Sequence, residues 1–172
     1  MTTAVLPGSF DPITIGHVDL IRRATRVADH IIVGVGVNAR KNQHFTVEER
    51  VGFIRDALSD ISGVAVEPVD GLVVDFCRSH HADLIIKGIR DSADISWEIT
   101  QASVNREIGD VETLFLPTRP DLMHVSSSIV RELASWGMDV SRYVPPAVAA
   151  ALADNGSVRN TWPGTSEGGS DA

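Results

Sequence analysis

Residues 4–17 read Ala4-Val5-Leu6-Pro7-Gly8-Ser9-Phe10-Asp11-Pro12-Ile13-Thr14-Ile15-Gly16-His17. Three apolar residues ended by Pro7-Gly8 predict a buried strand and then a turn. From Gly16 the period changes. Val18, Ile21, Ala24, Val27 and Ala28 recur at helical spacing, with Asp19, Arg22, Arg23 and Arg26 between them as the solvated side. The stretch is therefore strand, loop and helix in succession. Open α/β folds bind ligands beyond the carboxyl ends of their strands, which is where residues 7–17 fall.

The same alternation continues down the chain. Ile31–Val37 is β-branched and apolar on both faces, as expected of a strand covered on both sides. A loop follows from Asn38 to Phe45. Thr46 and Glu49 then match a capping box that opens a helix through Val51, Ile54 and Leu58. Val64–Val66 reads as a strand, Leu72 to His80 as a helix, and Leu84–Ile86 as a strand stopped by Lys87-Gly88. A longer helix is predicted from Ala93 to Ile108, and a strand over Thr113–Leu116 ended by Pro117. A serine near Ser127 caps a helix that closes near Gly137, and Pro145-Pro146 opens a short one over Ala147–Ala153. Strand–helix alternation of this kind predicts a Rossmann-like, doubly wound parallel α/β sheet in a single domain, residues 1–154. Residues 155–172 are rich in glycine and serine without an apolar period and read as a disordered polar tail.

Composition narrows the function. A chain of 172 residues suits one domain with a real core. Lys and Arg number 15 against 23 Asp and Glu, a net charge of −8, so a non-specific nucleic-acid coat is not expected. The single cysteine, Cys77, excludes an intrachain disulfide framework and fits a reducing compartment. Met1 to Pro7 carries no basic, apolar leader, and the apolar run at Ile31–Val37 is far too short to span a membrane, so a cytoplasmic protein is the expectation. No spacing of His30, His44, His80, His81 or Cys77 matches a zinc site.

Phosphate chemistry in an acidic chain must use a few local donors. Gly8 is expected to turn the backbone, Ser9 to offer a hydroxyl and an N–H, and Gly16 to let a nucleotide approach closely. His17 stands in the first turn of a helix, whose free N–H groups and partial positive charge suit anions. The G-x-x-x-x-G-K-[ST] spacing of a P-loop is absent. A plain turn with a capping histidine is the simpler reading of His17 alone. The whole string, however, resembles P-G-[ST]-F-D-P-x-T-x-G-H, the nucleotide-binding signature of the phosphopantetheine adenylyltransferase family within the T/HxGH nucleotidyltransferases. Thr14 stands where most relatives acting on nicotinate mononucleotide have histidine.

Two further segments carry the resemblance. Val125-Ser126-Ser127-Ser128-Ile129-Val130-Arg131 is similar to [IV]-S-S-[ST]-x-x-[RK], with hydroxyls and free amides at a helix start forming a cradle for the β- and γ-phosphates. Arg131 adds positive charge there or is an ordinary surface arginine. Lys87-Gly88-Ile89-Arg90, followed by Asp94, Glu98, Ala102 and Asn105, resembles [RK]-G-[ILV]-R and D-[FI]-x-x-E-x-x-x-A-x-x-N. Ile95 replaces the usual phenylalanine and Trp97 the usual tyrosine.

The resemblance implies roles residue by residue. Lys87 contacts the phosphate of 4′-phosphopantetheine, with Ser9, Lys41 and Val73 on the same substrate. Leu72 and Val73 align with positions facing the pantetheine arm, and Leu72 reads equally as helix-face core. Lys41, with Arg40 beside it, touches the transferred phosphate. Phe10, Gly88, Ile89, Arg90 and Glu98 line ATP, as do Leu122, Met123, His124 and Val125 leading into Ser126, Ser127 and Ser128. His17, Lys41 and Arg90 are the catalytic candidates. The implied reaction joins ATP and 4′-phosphopantetheine to give dephospho-CoA and pyrophosphate by direct in-line attack, with Mg²⁺ carried on ATP and no protein-held metal. A homohexamer with CoA as a further ligand is also implied. A sibling using another acceptor and a non-catalytic nucleotide sensor are the rival readings.

Overall fold

The computed structural model describes residues 1–37 and 43–154. The elements run β1 Thr3–Gly8, α1 Ile15–Ala24, β2 His30–Gly36, α2 Val47–Ala57, β3 Val64–Val69 and α3 Val73–Ser79. They continue as β4 Leu84–Ile89, α4 Ser92–Gly109, β5 Glu112–Pro117, a 3₁₀ turn Pro120–Leu122, α5 Ser127–Ser135 and α6 Pro146–Asp154. All strand pairs are parallel and the order is β3-β2-β1-β4-β5, an α/β Rossmann-like sheet in one domain. The predicted tail and Lys41 lie outside the described residues.

Alternating side chains divide the core between the two faces of the sheet. Ala4, Leu6 and Ile86 pack on one face with Ile21, Ile54, Val130 and Val148 from α1, α2, α5 and α6. Val5 and Ile85 pack on the other with Cys77 from α3 and with Val111. In α1 the charged residues Asp19, Arg22 and Arg23 interleave with this apolar pattern and mark the solvated side.

Chain order reverses between β1 and β4, and there the sheet opens. β1 pairs with β4 only at Ala4↔Leu84 and Val5↔Ile85. Each strand keeps its other neighbour much further, β1 to Gly8↔Val35 and β4 to Ile89↔Pro117. The two halves thus part after Val5, leaving a crevice floored by strand ends.

Strand ends differ from expectation for the same reason. Pro7-Gly8, Lys87-Gly88 and Pro117 lie inside β1, β4 and β5, not beyond them. β1 has already left β4 at Pro7, so the missing N–H is tolerated there, and Pro68 sits on the edge strand β3.

Candidate active site

A cavity of about 820 Å³ opens where the sheet parts. Its walls come from the β1–α1 loop, the first turn of α1, the end of β4, the inner side of α4 and the N-terminus of α5.

The loop is held from several directions. The Asp11 carboxylate, 5% exposed, accepts the amides of His44 at 2.8 Å and Phe45 at 2.9 Å. Phe10 stands at φ 46° with its ring buried. Gly8 is required by space: a Cβ there would lie 2.9 Å from the Phe10 ring. It does not need positive φ, contrary to the turn expected at that position. At Gly16, by contrast, a Cβ would meet only ordinary contacts, Thr14 Oγ1 at 3.6 Å and the Val125 carbonyl at 3.8 Å.

Thr14 is the N-cap of α1 and His17 its reciprocal partner. The His17 backbone N–H donates to Thr14 Oγ1 at 3.4 Å, and the Thr14 N–H donates to His17 Nδ1 at 3.1 Å. An acceptor at Nδ1 places the neutral ring's proton on Nε2. Burial, seconded by the charge of Arg90, pushes the imidazole down to about pH 4 in pKa. His17 is therefore a neutral donor at the cavity wall, its ring set edge-on against Phe10 at 5.1 Å. The capping reading of His17 holds, and it occupies Nδ1 alone, leaving the Nε2 proton outside the cap.

β4 delivers Lys87 and Arg90 to the opposite wall, and α4 answers with two carboxylates one turn apart. Arg90 donates through Nε to Asp94 Oδ2 at 2.8 Å and through Nη2 to Oδ1 at 3.0 Å. That bidentate pair raises the pKa of Arg90 and holds the Asp94 carboxyl below its ordinary value. Lys87 Nζ lies 3.2 Å from Glu98 Oε2, a buried oxygen with no hydrogen-bond partner of its own. A Cβ at Gly88 would sit 2.7 Å from Leu20, so glycine lets α1 close on this strand end.

α5 ties its own N-terminus to the loop. Ser126 caps the helix by accepting the Ile129 amide at 3.2 Å. The Ser127 hydroxyl donates to the Pro12 carbonyl at 2.7 Å, and Arg131 Nη1 donates to the Asp11 carbonyl. Arg131 is thus a brace between the two motifs and a cavity-wall residue, not a free surface arginine. The partners are 115 and 120 residues apart in the chain, beyond the reach of any local pattern.

Most expected site residues meet here. Ser9, Phe10, His17, Lys87, Gly88 and Arg90 line the cavity. So do Glu98 and the run from Val125 to Ser128. Ile89, Leu122, Met123 and His124 are not among its walls, and His124 instead meets the Tyr143 ring edge-on at 5.8 Å. Val73 packs against the core cluster around Val5, and Leu72 is exposed. Asp94, Gln43 and Thr118 join the wall without having been singled out as contacts.

Arg50 was passed over entirely. It lies on α2 with no exposed surface, where its place after a capping box reads as an ordinary solvated position. Burial pulls its pKa down, opposed by the charges of Asp11 and Glu48. Among the described residues no group of three His, Cys, Asp or Glu side chains is placed to hold a metal ion. The cavity carboxylates Asp11, Asp94 and Glu98 are engaged with amides, Arg90 and Lys87 respectively.

Comparison with known proteins places this architecture. The family described as cytidylyltransferase-like matches residues 5–133. The chain is 47% identical over 149 residues, 87% of its length and 95% of the relative's, to a phosphopantetheine adenylyltransferase of Cutibacterium acnes. It is 48% identical to one from Heliobacterium modesticaldum, covering 90% of this chain and 92% of that protein. Among solved structures, a bifunctional NMN adenylyltransferase/ADP ribose pyrophosphatase from Francisella tularensis superposes with a TM-score of 0.68 at 17% identity. That match covers 91% of this chain and 51% of the other, and speaks to the fold.

Proposed function

This chain belongs to the cytidylyltransferase-like family, and from that premise we propose that it transfers adenylyl from ATP to 4′-phosphopantetheine, releasing pyrophosphate and forming dephospho-CoA. The observation that carries the reading is the union of the Ser9–His17 loop and the serine-capped α5 N-terminus around one cavity, with Lys87 and Arg90 facing them.

The acceptor phosphate is already an anion near neutral pH, so no protein nucleophile is needed. It attacks the α-phosphorus in line, the new P–O bond forming as the bond to the β-phosphate oxygen breaks and pyrophosphate leaves. The barrier lies in aligning two polyanions and in shielding charge as it moves to the leaving group. A neutral His17 with its proton on Nε2 donates a hydrogen bond to the transferred group without taking part in proton exchange. Asp94 holds the Arg90 fork in one orientation. The amides of Gly16 at the start of α1 and of Ser127 and Ser128 at the start of α5 add donors for the triphosphate, while those of Ile15, His17 and Ile129 are held within the protein. We assign Lys87 and Lys41 to the phosphates of the acceptor and the transferred group, and Mg²⁺ enters as part of the substrate, on ATP.

We also propose a cytoplasmic homohexamer that binds CoA at the same crevice. No side chain of α4 is buried, and Ile95, Trp97, Ile99, Val104 and Ile108 are exposed along it, which supports a subunit contact there. No helix of the described residues is long and apolar enough to cross a membrane.

Pyrophosphate release measured with ATP and a panel of acceptors tests the reading. The expected result is turnover with 4′-phosphopantetheine and little with nicotinate mononucleotide. A reversed preference would assign the chain to a sibling activity, and ATP binding with no pyrophosphate from any acceptor would make it a sensor.

A further inference from the structure

Arg50 is a buried cation whose ligands are almost all carbonyl oxygens. Its Nη1 donates to the Ser9 carbonyl at 2.6 Å and to the Gly36 carbonyl at 3.1 Å. Its Nη2 donates to the Gln43 side-chain oxygen at 2.7 Å, and its Nε to the Thr46 carbonyl at 3.3 Å. No carboxylate among the described residues forms an ion pair with it. Burying an unpaired charge is unfavourable, and an apolar side chain would fill the same space more cheaply. A guanidinium kept there has a use for its fork and its charge.

The Ser9 carbonyl identifies that use. A trans peptide points its C=O and N–H in opposite directions. A Ser9 carbonyl held on Arg50 therefore turns the Phe10 N–H away from the guanidinium. Ser9 and Phe10 line the cavity while Arg50, behind them, does not. The same fork fixes the end of β1 against the end of β2, since it bridges Ser9 and Gly36.

We propose that Arg50 is a positioning residue for the phosphate site: by fixing the Ser9–Phe10 peptide plane it presents the Phe10 amide to a bound polyphosphate and sets its positive charge beneath it. The role deepens the adenylyltransferase reading and rests on it for the turnover arm of the test.

The experiment compares wild-type protein with Arg50→Lys and Arg50→Gln. Thermal melting, kcat, the KM values for ATP and 4′-phosphopantetheine, and calorimetric binding of inorganic tripolyphosphate are measured well below the melting temperature. A misplaced donor predicts kcat lowered roughly 10²-fold in Arg50→Gln, with a smaller rise in the KM for ATP. Tripolyphosphate affinity should fall at least about tenfold in the same variant. Arg50→Lys keeps the charge and one carbonyl contact, and should recover part of both losses. Variants that melt lower yet bind tripolyphosphate and turn over like wild type while folded would overturn the proposal. If Arg50→Gln does not fold, wild-type binding and turnover by Arg50→Lys would do the same. Should wild-type protein release no pyrophosphate, the functional reading fails, and the tripolyphosphate arm still decides the role of Arg50.

Discussion

The Thr14 amide donates to His17 Nδ1 at 3.1 Å, so the ring that faces the cavity is also the cap of the helix that carries it. The bond that caps the start of α1 thereby leaves the neutral ring's proton on Nε2, the tautomer our proposed mechanism uses. Removing the imidazole disturbs both functions, and the two need separate variants.

Glutamine at the third helical position completes a capping box as well as histidine does. His17→Gln should keep stability within about 0.5 kcal/mol while lowering kcat roughly 10²-fold, the usual loss for a donor aimed at developing charge. His17→Ala should lose the same turnover and about 0.5–2 kcal/mol of stability besides. Denaturant melts beside steady-state rates check both, and full turnover in His17→Gln would reduce the histidine to a cap.

The low pKa of His17 gives a stability signature with a definite sign. The unfolded chain takes this proton near 6.5 and the folded one near 4, so between those values the unfolded state binds more protons. Stability from this group is therefore whole above about pH 6.5 and is lost as pH falls through about 4. Unfolding free energies for wild type and His17→Gln, measured from pH 4 to 8, should lie together above about pH 6.5 and separate as the pH is lowered, wild type falling below the variant. Parallel curves would contradict the assignment.

Gly16 separates space needed by the protein from space needed by a ligand. A methyl group there meets nothing closer than 3.6 Å, so Gly16→Ala should melt within about 1 kcal/mol of wild type, the ordinary glycine-to-alanine range. The KM for ATP should nevertheless rise about tenfold or more, because the added carbon occupies the cavity wall. Unchanged ATP affinity would mean that the nucleotide does not approach this backbone.

Lys87 and Glu98 should behave as a coupled pair. Lys87→Ala removes the hydrogen bond to Glu98 Oε1 and leaves that largely buried carboxylate without its cation, a loss of about 1–3 kcal/mol. Adding Glu98→Gln should restore much of that stability and none of the activity. In the single variant the KM for 4′-phosphopantetheine should rise more than that for ATP. A rise confined to ATP would transfer Lys87 to the other substrate.

The motifs at residues 7–17, 87–98 and 125–131 were legible because each stands at a strand end or helix start, where residue type and spacing report local geometry directly. Arg50 was not, since a charged residue after a capping box looks solvated until the ends of β1 and β2 close over it. Asp94 was visible as part of a motif, while its grip on Arg90 needed α4 folded back along β4. The departure of Leu122, Met123 and His124 from the cavity follows from the 3₁₀ turn at Pro120–Leu122 and the ring of Tyr143, a partner 19 residues beyond His124.

Period, capping and turn chemistry determined the order of strands and helices and the fold class, and with the family resemblance they marked the three segments that meet at the cavity. These are interactions among residues a few positions apart, and a linear pattern records them. Where the sheet opens after Val5 and which carbonyls Arg50, Ser127 and Arg131 hold were decided only by packing. Each of those depends on groups tens of residues distant meeting across a core, and distance through space is set by the fold as a whole.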